Sequence, residues 1–262
     1  MHAAIITLTT DFGHWDHYVA TMKGVMLTIC PQAVLIDISH AVRPQAVRQA
    51  AHLLASAAPF FPPGTVHVAV IDPGVGTERR AVAIGTARAC YVGPDNGVFS
   101  LVLERESVQW AVHLDNPEYH LAEVSATFHG RDIFAPAAAY LASGADPSQV
   151  GDSLAPSELH RLEILQTYEE GAGPWQAYVL HIDRFGNLIT NFRVPDPDAT
   201  LSVRVGGEYI DHVSRTFADV AVGELVAYVG SSGLLEVAVR QGSAAEALGS
   251  DLGSPVHVAE RG

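Results

Sequence analysis

The 262-residue chain is 48% hydrophobic, enough for a sizeable core in one large domain or two smaller ones. Its 15 Lys and Arg stand against 29 Asp and Glu, a formal net charge of −14, which argues against nucleic acid because such binding rests on clustered cations. No run of about eighteen apolar residues offers a transmembrane helix, so no membrane partner is expected.

The stretch Met1-His2-Ala3-Ala4-Ile5-Ile6-Thr7-Leu8 lacks a basic region and a small-residue cleavage site and reads as a first strand rather than a signal peptide, so cytoplasmic residence is expected. Cys30 and Cys90 are too few and too far apart for a disulfide framework or a thiolate metal site and are expected to be buried hydrophobes.

A strand over Ala3–Thr9 leads into Thr10-Asp11-Phe12-Gly13-His14-Trp15-Asp16, and Val19, Met22, Met26 and Ile29 then share one face of a helix. Asp11 and Asp16 flank this turn. Two acceptor-only carboxylates there suit the vicinal hydroxyls of a ribose, while Asp16 as a helix cap and Asp11 as a turn residue suit the spacing equally well. A second strand, Val34–Ile38, is followed by the loop Ser39-His40-Ala41-Val42-Arg43 and an Ala-rich helix over Pro44–Ala58.

Val66–Val70 reads as a strand buried on both faces, and it runs into Ile71-Asp72-Pro73-Gly74-Val75-Gly76-Thr77-Glu78-Arg79-Arg80. Pro73 ends the ladder, the two glycines permit left-handed backbone, and Asp72 and Arg79 can face one another across the loop. An acid and a base at the carboxyl end of a buried strand fit the ligand position of open α/β sheets; an ordinary loop with a surface ion pair is the alternative. Strands at Ala81–Ile84 and Ala89–Val92 follow, then Gly93-Pro94-Asp95-Asn96-Gly97 and a short helix over Val98–Glu104. Asn96, at another strand end, suits either a ligand edge or a turn. This alternation predicts a mostly parallel sheet with helices on both faces.

Thr127-Phe128-His129-Gly130-Arg131-Asp132 opens a helix to about Ser143, and His129 sits where N–H groups and the positive end of the dipole favour the neutral imidazole. Asp132 is placed to clamp Arg131. No paired His spacing marks a metal site near His129. Periodicity fades after Gly144, and Pro147, Pro156 and Glu169–Pro174 place a boundary near residue 170, giving an α/β domain with linker over 1–170 and a smaller β-barrel domain over 171–262. Its strands are expected at Ala177–Ile182, Leu188–Phe192, Leu201–Val205, Leu225–Val229, Leu234–Val239 and Pro255–Ala259, with no convincing helix. Asp183 and Asn187 lie between the first two, and Phe217 and Ser231 in later connections; tight-turn roles compete with ligand roles for Asp183 and Asn187.

Taken together, Thr10-Asp11-Phe12-Gly13, Ile71–Thr77, Gly93–Gly97, Thr127–Asp132, Asp183–Asn187 and Ser231-Ser232-Gly233-Leu234-Leu235 resemble, in order and spacing over essentially the whole chain, the S-adenosylmethionine (SAM) hydroxide adenosyltransferases. These are adenosine-forming SAM hydrolases related to the SAM-dependent fluorinase and chlorinase. The resemblance implies attack of water or hydroxide on the ribose C5′ of SAM, expelling methionine and leaving adenosine, with SAM as substrate and no cofactor or metal.

It further implies an Asp72, Arg79 and His129 set that holds the attacking water. Asp11 and Asp16 are implied as ribose-hydroxyl acceptors, Asp183 as the acid that meets the methionine ammonium, Asn187 as the adenine reader, Ser231 as a carboxylate contact and Phe217 as an adenine-stacking ring. It implies a homotrimer in which SAM lies between the N-terminal domain of one subunit and the C-terminal domain of the next. In the halogenases the water-binding set is replaced by a small halide pocket, so the presence of all three residues favours the hydrolase. A SAM-dependent halogenase, a non-catalytic SAM or adenosine binder and a metal-dependent hydrolase are the rival readings. One departure is Gln45, where the fluorinase stacks a Trp beside the ribose.

Overall fold

Short β-branched runs broken by Pro, Gly and Asp dictate the first half of the fold. In a computed structural model, which describes residues 4–196 and 199–261, they form six strands: β1 (Ile5–Thr10), β2 (Val34–Ser39), β3 (Thr65–Val70), β4 (Ala81–Thr86), β5 (Ala89–Pro94) and β6 (Val108–His113). Ala3, the expected first residue of β1, lies outside the described residues. The intervening helices are α1 (Tyr18–Ile29), α2 (Val47–Ala57) and α3 (Ser100–Leu103); α4 (Ala135–Ala142) and α5 (Pro147–Val150) follow β6.

The sheet order is β2-β1-β3-β5-β4-β6. Strands β1, β2, β3 and β5 run parallel, whereas β4 is antiparallel to both β5 and β6. The mostly parallel sheet expected from the alternation is therefore present, with β4 as its exception. No helix separates β3 from β4, and the chain hairpins directly into β5, so only an antiparallel pairing is available. From β1 the chain crosses to β2 on one side and later to β3 on the other. The switch of direction falls between β1 and β3, where a doubly wound sheet opens a crevice beyond the carboxyl ends of its strands.

Strand β3 is buried at every residue. Ile6 and Leu8 of β1, Val66, Val68 and Val70 of β3, Met22 and Met26 of α1 and Phe134 and Ala138 belong to one core cluster. The α1 face was expected from the spacing; Val19, Met22 and Met26 are buried and Ile29 packs against the core partly exposed. Helix α2 begins at Val47 and not at Pro44, because Gln45 adopts φ +67°, a left-handed backbone that cannot continue an α-helix. Cys30 is buried, but Cys90, expected to be so, is only partly buried.

The chain falls into two compact units, Met1–Glu163 and Ile164–Gly262. The second unit holds β7 (Gln166–Thr167), β8 (Trp175–Ile182), β9 (Leu188–Arg193), β10 (Leu201–Val205), β11 (Glu208–Ile210), β12 (Val213–Ser214), β13 (Leu225–Val229), β14 (Leu234–Val239) and β15 (Pro255–Glu260). The path β11-β10-β15-β8-β9-β14-β13-β12 curls until β12 meets β10 and β13 meets β11, a nearly closed barrel around Leu188, Phe192, Val203, Leu235 and Val237. One helix interrupts the strands, α6 (Ala244–Leu248), started by the Ser243 side chain accepting from Glu246 N–H and ended by Gly249 at φ 57°. The sequence predicts no helix here, because five residues are too few to show a period.

Candidate active site

The loop after β3 folds back on itself through local hydrogen bonds. Val75 N–H donates to the Asp72 carbonyl at 3.2 Å, and Thr77 donates from its N–H (3.1 Å) and its hydroxyl (2.7 Å) to the Gly74 carbonyl. Gly76 sits at φ +77°, and a Cβ there would lie 2.5 Å from the Ala126 carbonyl oxygen, so the turn closes only with glycine. This brings Arg79 back over Asp72. Arg79 Nε donates to both carboxylate oxygens, at 2.9 and 3.0 Å, and Nη2 donates to Oδ2 in a very close contact. The pair is almost dry, with side-chain exposures of 6% for Asp72 and 11% for Arg79.

The same Nη2 lies 2.8 Å from His129 Nδ1. A guanidinium is always a donor, so Nδ1 is the acceptor and the neutral ring carries its proton on Nε2. Burial and then the neighbouring Arg79 charge hold the His129 pKa below its ordinary value, in keeping with the neutral ring expected from its place at a helix start. His129 is fixed by a π-helical turn over Gly130–Phe134 that runs into α4, and Arg79 also lies 5.1 Å from the Phe134 ring centre. Asp132, fully buried, clamps Arg131 at 2.5 Å and accepts from Ser125 N–H at 2.8 Å, the structural part expected of it.

Asp11, Asp72 and His129 line one pocket of about 310 Å³ beyond the carboxyl ends of β1 and β3, together with Phe12, Gln45 and Phe128. Burial, with the Asp72 charge adding to it, raises the Asp11 pKa, while a hydrogen bond from Gln45 N–H (2.8 Å) opposes the rise. Asp16 is exposed and not part of this wall; His17, not Asp16, precedes α1, and no side chain caps that helix. Asn96 is also outside the pocket. Its amide donates to the Ile71 carbonyl at 2.8 Å and its oxygen accepts from Val98 N–H at 3.2 Å, so it pins the residue before Asp72. Gln45 stands in the pocket wall, with its backbone N–H rather than an aromatic face serving Asp11.

The second unit brings Asp183, Asn187, Phe217 and Ser231 around a pocket of about 890 Å³. Asp183 Oδ1 accepts from the N–H of Phe185 and of Asn187, each at 2.9 Å, and Oδ2 accepts from Asn187 Nδ2 at 2.8 Å. The turn reading of this pair is met: the carboxylate builds the turn and fixes the Asn187 amide plane. Phe217 packs against Tyr228 in a tilted arrangement, with ring centres 4.5 Å apart. Tyr228 donates to Glu236 at 2.5 Å, and burial, with the charge of Asp183, raises the Glu236 pKa. Tyr228 and Glu236 were not anticipated. They face each other in register across β13 and β14, and the available signal was a lone carboxylate inside the apolar run Leu234-Leu235-Glu236-Val237. Among the described residues no group of three or more His, Cys, Asp and Glu side chains gathers to hold a metal ion.

A sequence profile described as the SAM hydroxide adenosyltransferase N-terminal domain matches residues 6–151, and one described as the C-terminal domain matches residues 177–257. The chain is 46% identical over 257 residues to a Thermus thermophilus protein named (R)-S-adenosyl-L-methionine hydrolase, covering 95% of this chain and 97% of that one. A Salinispora tropica protein of the same name is 43% identical, with 97% of each covered. A Nocardia brasiliensis protein named fluorinase is 31% identical over 92% of each. The fold is similar to a crystal structure of an uncharacterized conserved protein from Thermotoga maritima, with a TM-score of 0.86 and 38% identity over 98% of this chain and 100% of that one.

Proposed function

The chain belongs to the SAM hydroxide adenosyltransferase family, and on that footing we propose that it hydrolyses SAM to adenosine and methionine by attack of water or hydroxide on the ribose C5′. The observation that carries the reading is the nearly dry Asp72–Arg79 pair joined to His129, with Asp72 and His129 lining the pocket that also holds Asp11. The new C5′–O bond forms as the C5′–S bond breaks, its electron pair going to sulfur. Methionine leaves as a neutral thioether, so no acid is needed at the leaving group, and the nucleophile's proton is released to solvent.

What remains is to supply an aligned, electron-rich oxygen. Arg79 cannot give up its proton and His129, accepting at Nδ1, presents N–H at Nε2. Both are donors. This arrangement supports orientation and stabilisation of a hydroxide-like oxygen rather than acceptance of its proton by His129. Asp72 holds the guanidinium plane, and positioning for in-line displacement contributes on the order of several kcal/mol.

In the same reading Asp11 accepts from a ribose hydroxyl, Asp183 meets the ammonium of the methionine part, Asn187 reads the adenine edge, Phe217 stacks on it and Ser231 meets the carboxylate. Asp16, exposed and off the pocket wall, and Asn96, whose amide ties down Ile71, are candidate substrate contacts in the sequence but are given none in this reading. No cofactor takes part. The resemblance supports a homotrimer with each SAM taken up between the first unit of one subunit and the second unit of the next, which light scattering reads directly.

The test is to incubate EDTA-treated protein with SAM at neutral pH, with and without excess chloride, and identify products by mass. Adenosine and methionine are expected; 5′-chloro-5′-deoxyadenosine would move the protein to the halogenases, and intact SAM would refute catalysis.

A further inference from the structure

Asp11 is held from both sides by groups outside the proposed chemistry. Its carboxylate takes the N–H of Gln45, and its backbone lies between Thr10 and Phe12, which are joined by a hydrogen bond from Phe12 N–H to the Thr10 hydroxyl at 3.2 Å. That hydroxyl is completely buried and lies 2.8 Å from Nδ1 of His40, itself 1% exposed. The His40 carbonyl accepts from Gly13 N–H at 2.8 Å, so one residue of the β2–α2 loop grips the β1–α1 loop at two points around Asp11.

The polarity of this chain follows from its parts. His40 Nε2 faces the Asp37 carboxylate, which can only accept, so the ring proton belongs on Nε2 and Nδ1 is left to accept from the Thr10 hydroxyl. Nε2 lies 3.0 Å from Asp37 Oδ1, an electrostatic contact without a straight hydrogen bond. Asp37 Oδ2 in turn accepts from Lys23 Nζ of α1 at 2.6 Å. Burial holds the His40 pKa below its ordinary value, which keeps the ring able to accept from Thr10. A buried Thr–His pair at the end of a central strand is a costly arrangement for a mere loop tie, since each unmade partner would be left unsatisfied in the interior.

We propose that His40 is a positioning residue for substrate binding: acting through the Thr10 hydroxyl, it fixes the backbone on both sides of Asp11 and so aims that carboxylate at the ribose hydroxyl it accepts from. This rests on the reading of Asp11 given above. Gln45 belongs to the same clasp. Its left-handed backbone, uncommon for a residue with a side chain, is compatible with an N–H turned to Asp11, and that hydrogen bond compensates the strain.

The experiment compares Thr10→Val, Thr10→Ser and Asp11→Asn, singly and as the Thr10→Val/Asp11→Asn double variant, with KM and kcat for SAM and thermal unfolding measured on each. Thr10→Val is expected to raise KM about five- to tenfold with kcat changed less than about twofold, as loss of binding interactions made equally in ground and transition states does. Thr10→Ser, which keeps the hydroxyl, is expected to recover most of that loss. In the Asp11→Asn background Thr10→Val is expected to add less than about twofold, because the group it positions is already disabled.

Unchanged KM in a folded Thr10→Val protein, or a loss that multiplies fully with that of Asp11→Asn, overturns the positioning role. Unchanged KM in Asp11→Asn alone overturns the reading of Asp11 and the inference with it. Should Thr10→Val unfold, His40→Gln serves in its place, reaching toward Asp37 while offering no ring nitrogen to Thr10.

Discussion

Replacing Arg79 by methionine removes a charge while keeping most of the volume packed on Phe134. Three guanidinium contacts to Asp72 and one to His129 are lost, and the Asp72 side chain, only 6% exposed, is left without its counter-ion. An uncompensated buried charge costs roughly 3–5 kcal/mol. For a unit the size of Met1–Glu163 that corresponds to a fall in Tm on the order of 10 °C. The double variant Asp72→Asn/Arg79→Met removes the stranded charge as well and is expected to recover most of the stability, since a buried pair replaced as a whole is often neutral. Turnover behaves differently. Loss of the donor to the nucleophile is expected to lower kcat roughly 10²–10³-fold in both variants. Thermal unfolding followed beside SAM turnover separates the two effects. The reasoning is refuted if Arg79→Met costs under about 1 kcal/mol, if the double variant is no more stable than the single, or if either keeps wild-type kcat.

His129 has a folded-state pKa below its ordinary 6.5, so as pH falls the unfolded chain binds a proton first. The stability present above about pH 6.5 is therefore lost as pH drops from there toward the folded value, and kcat/KM should show an acid limb in the same window. Because the Arg79 charge helps to lower that pKa, Arg79→Met should move the limb to higher pH; a limb that stays put would dissociate it from His129. Gly76→Ala puts a Cβ at 2.5 Å from the Ala126 carbonyl in a left-handed turn and should cost on the order of 1–3 kcal/mol and most of the activity, whereas Gly144→Ala, left-handed but with open space around it, serves as the strain-only control. Asp183→Ala deprives two backbone N–H groups and the Asn187 amide of their acceptor, and urea unfolding should register about 1–2 kcal/mol, with wild-type stability contradicting the turn-building role.

Much of this protein was legible in its sequence because the information was local. Alternating apolar runs and turn residues specify β1, β3 and β5 and the helix α1; Pro73 and the flanking glycines mark the loop that returns Arg79 to Asp72; and Gly76 states its own backbone requirement. Motifs in register added the family, since six short signals in fixed order carry information that no single one holds.

Tertiary structure decided what depends on distant partners. The start of α2 at Val47 follows from Gln45 turning its N–H to Asp11, thirty-four residues away in sequence. The neutral ring of His129 was expected from its helix position, but its tautomer is set by Arg79, fifty residues before it. Asn96 acts on Ile71 rather than on the pocket wall, and Tyr228 joins Glu236 only because β13 and β14 pair in that register. The Thr10–His40 contact spans thirty residues and is invisible to any local pattern. Periodicity reports which face of an element is apolar, a property of neighbours along the chain, whereas a hydrogen bond's direction and a proton's place depend on which groups the fold brings within 3 Å or so.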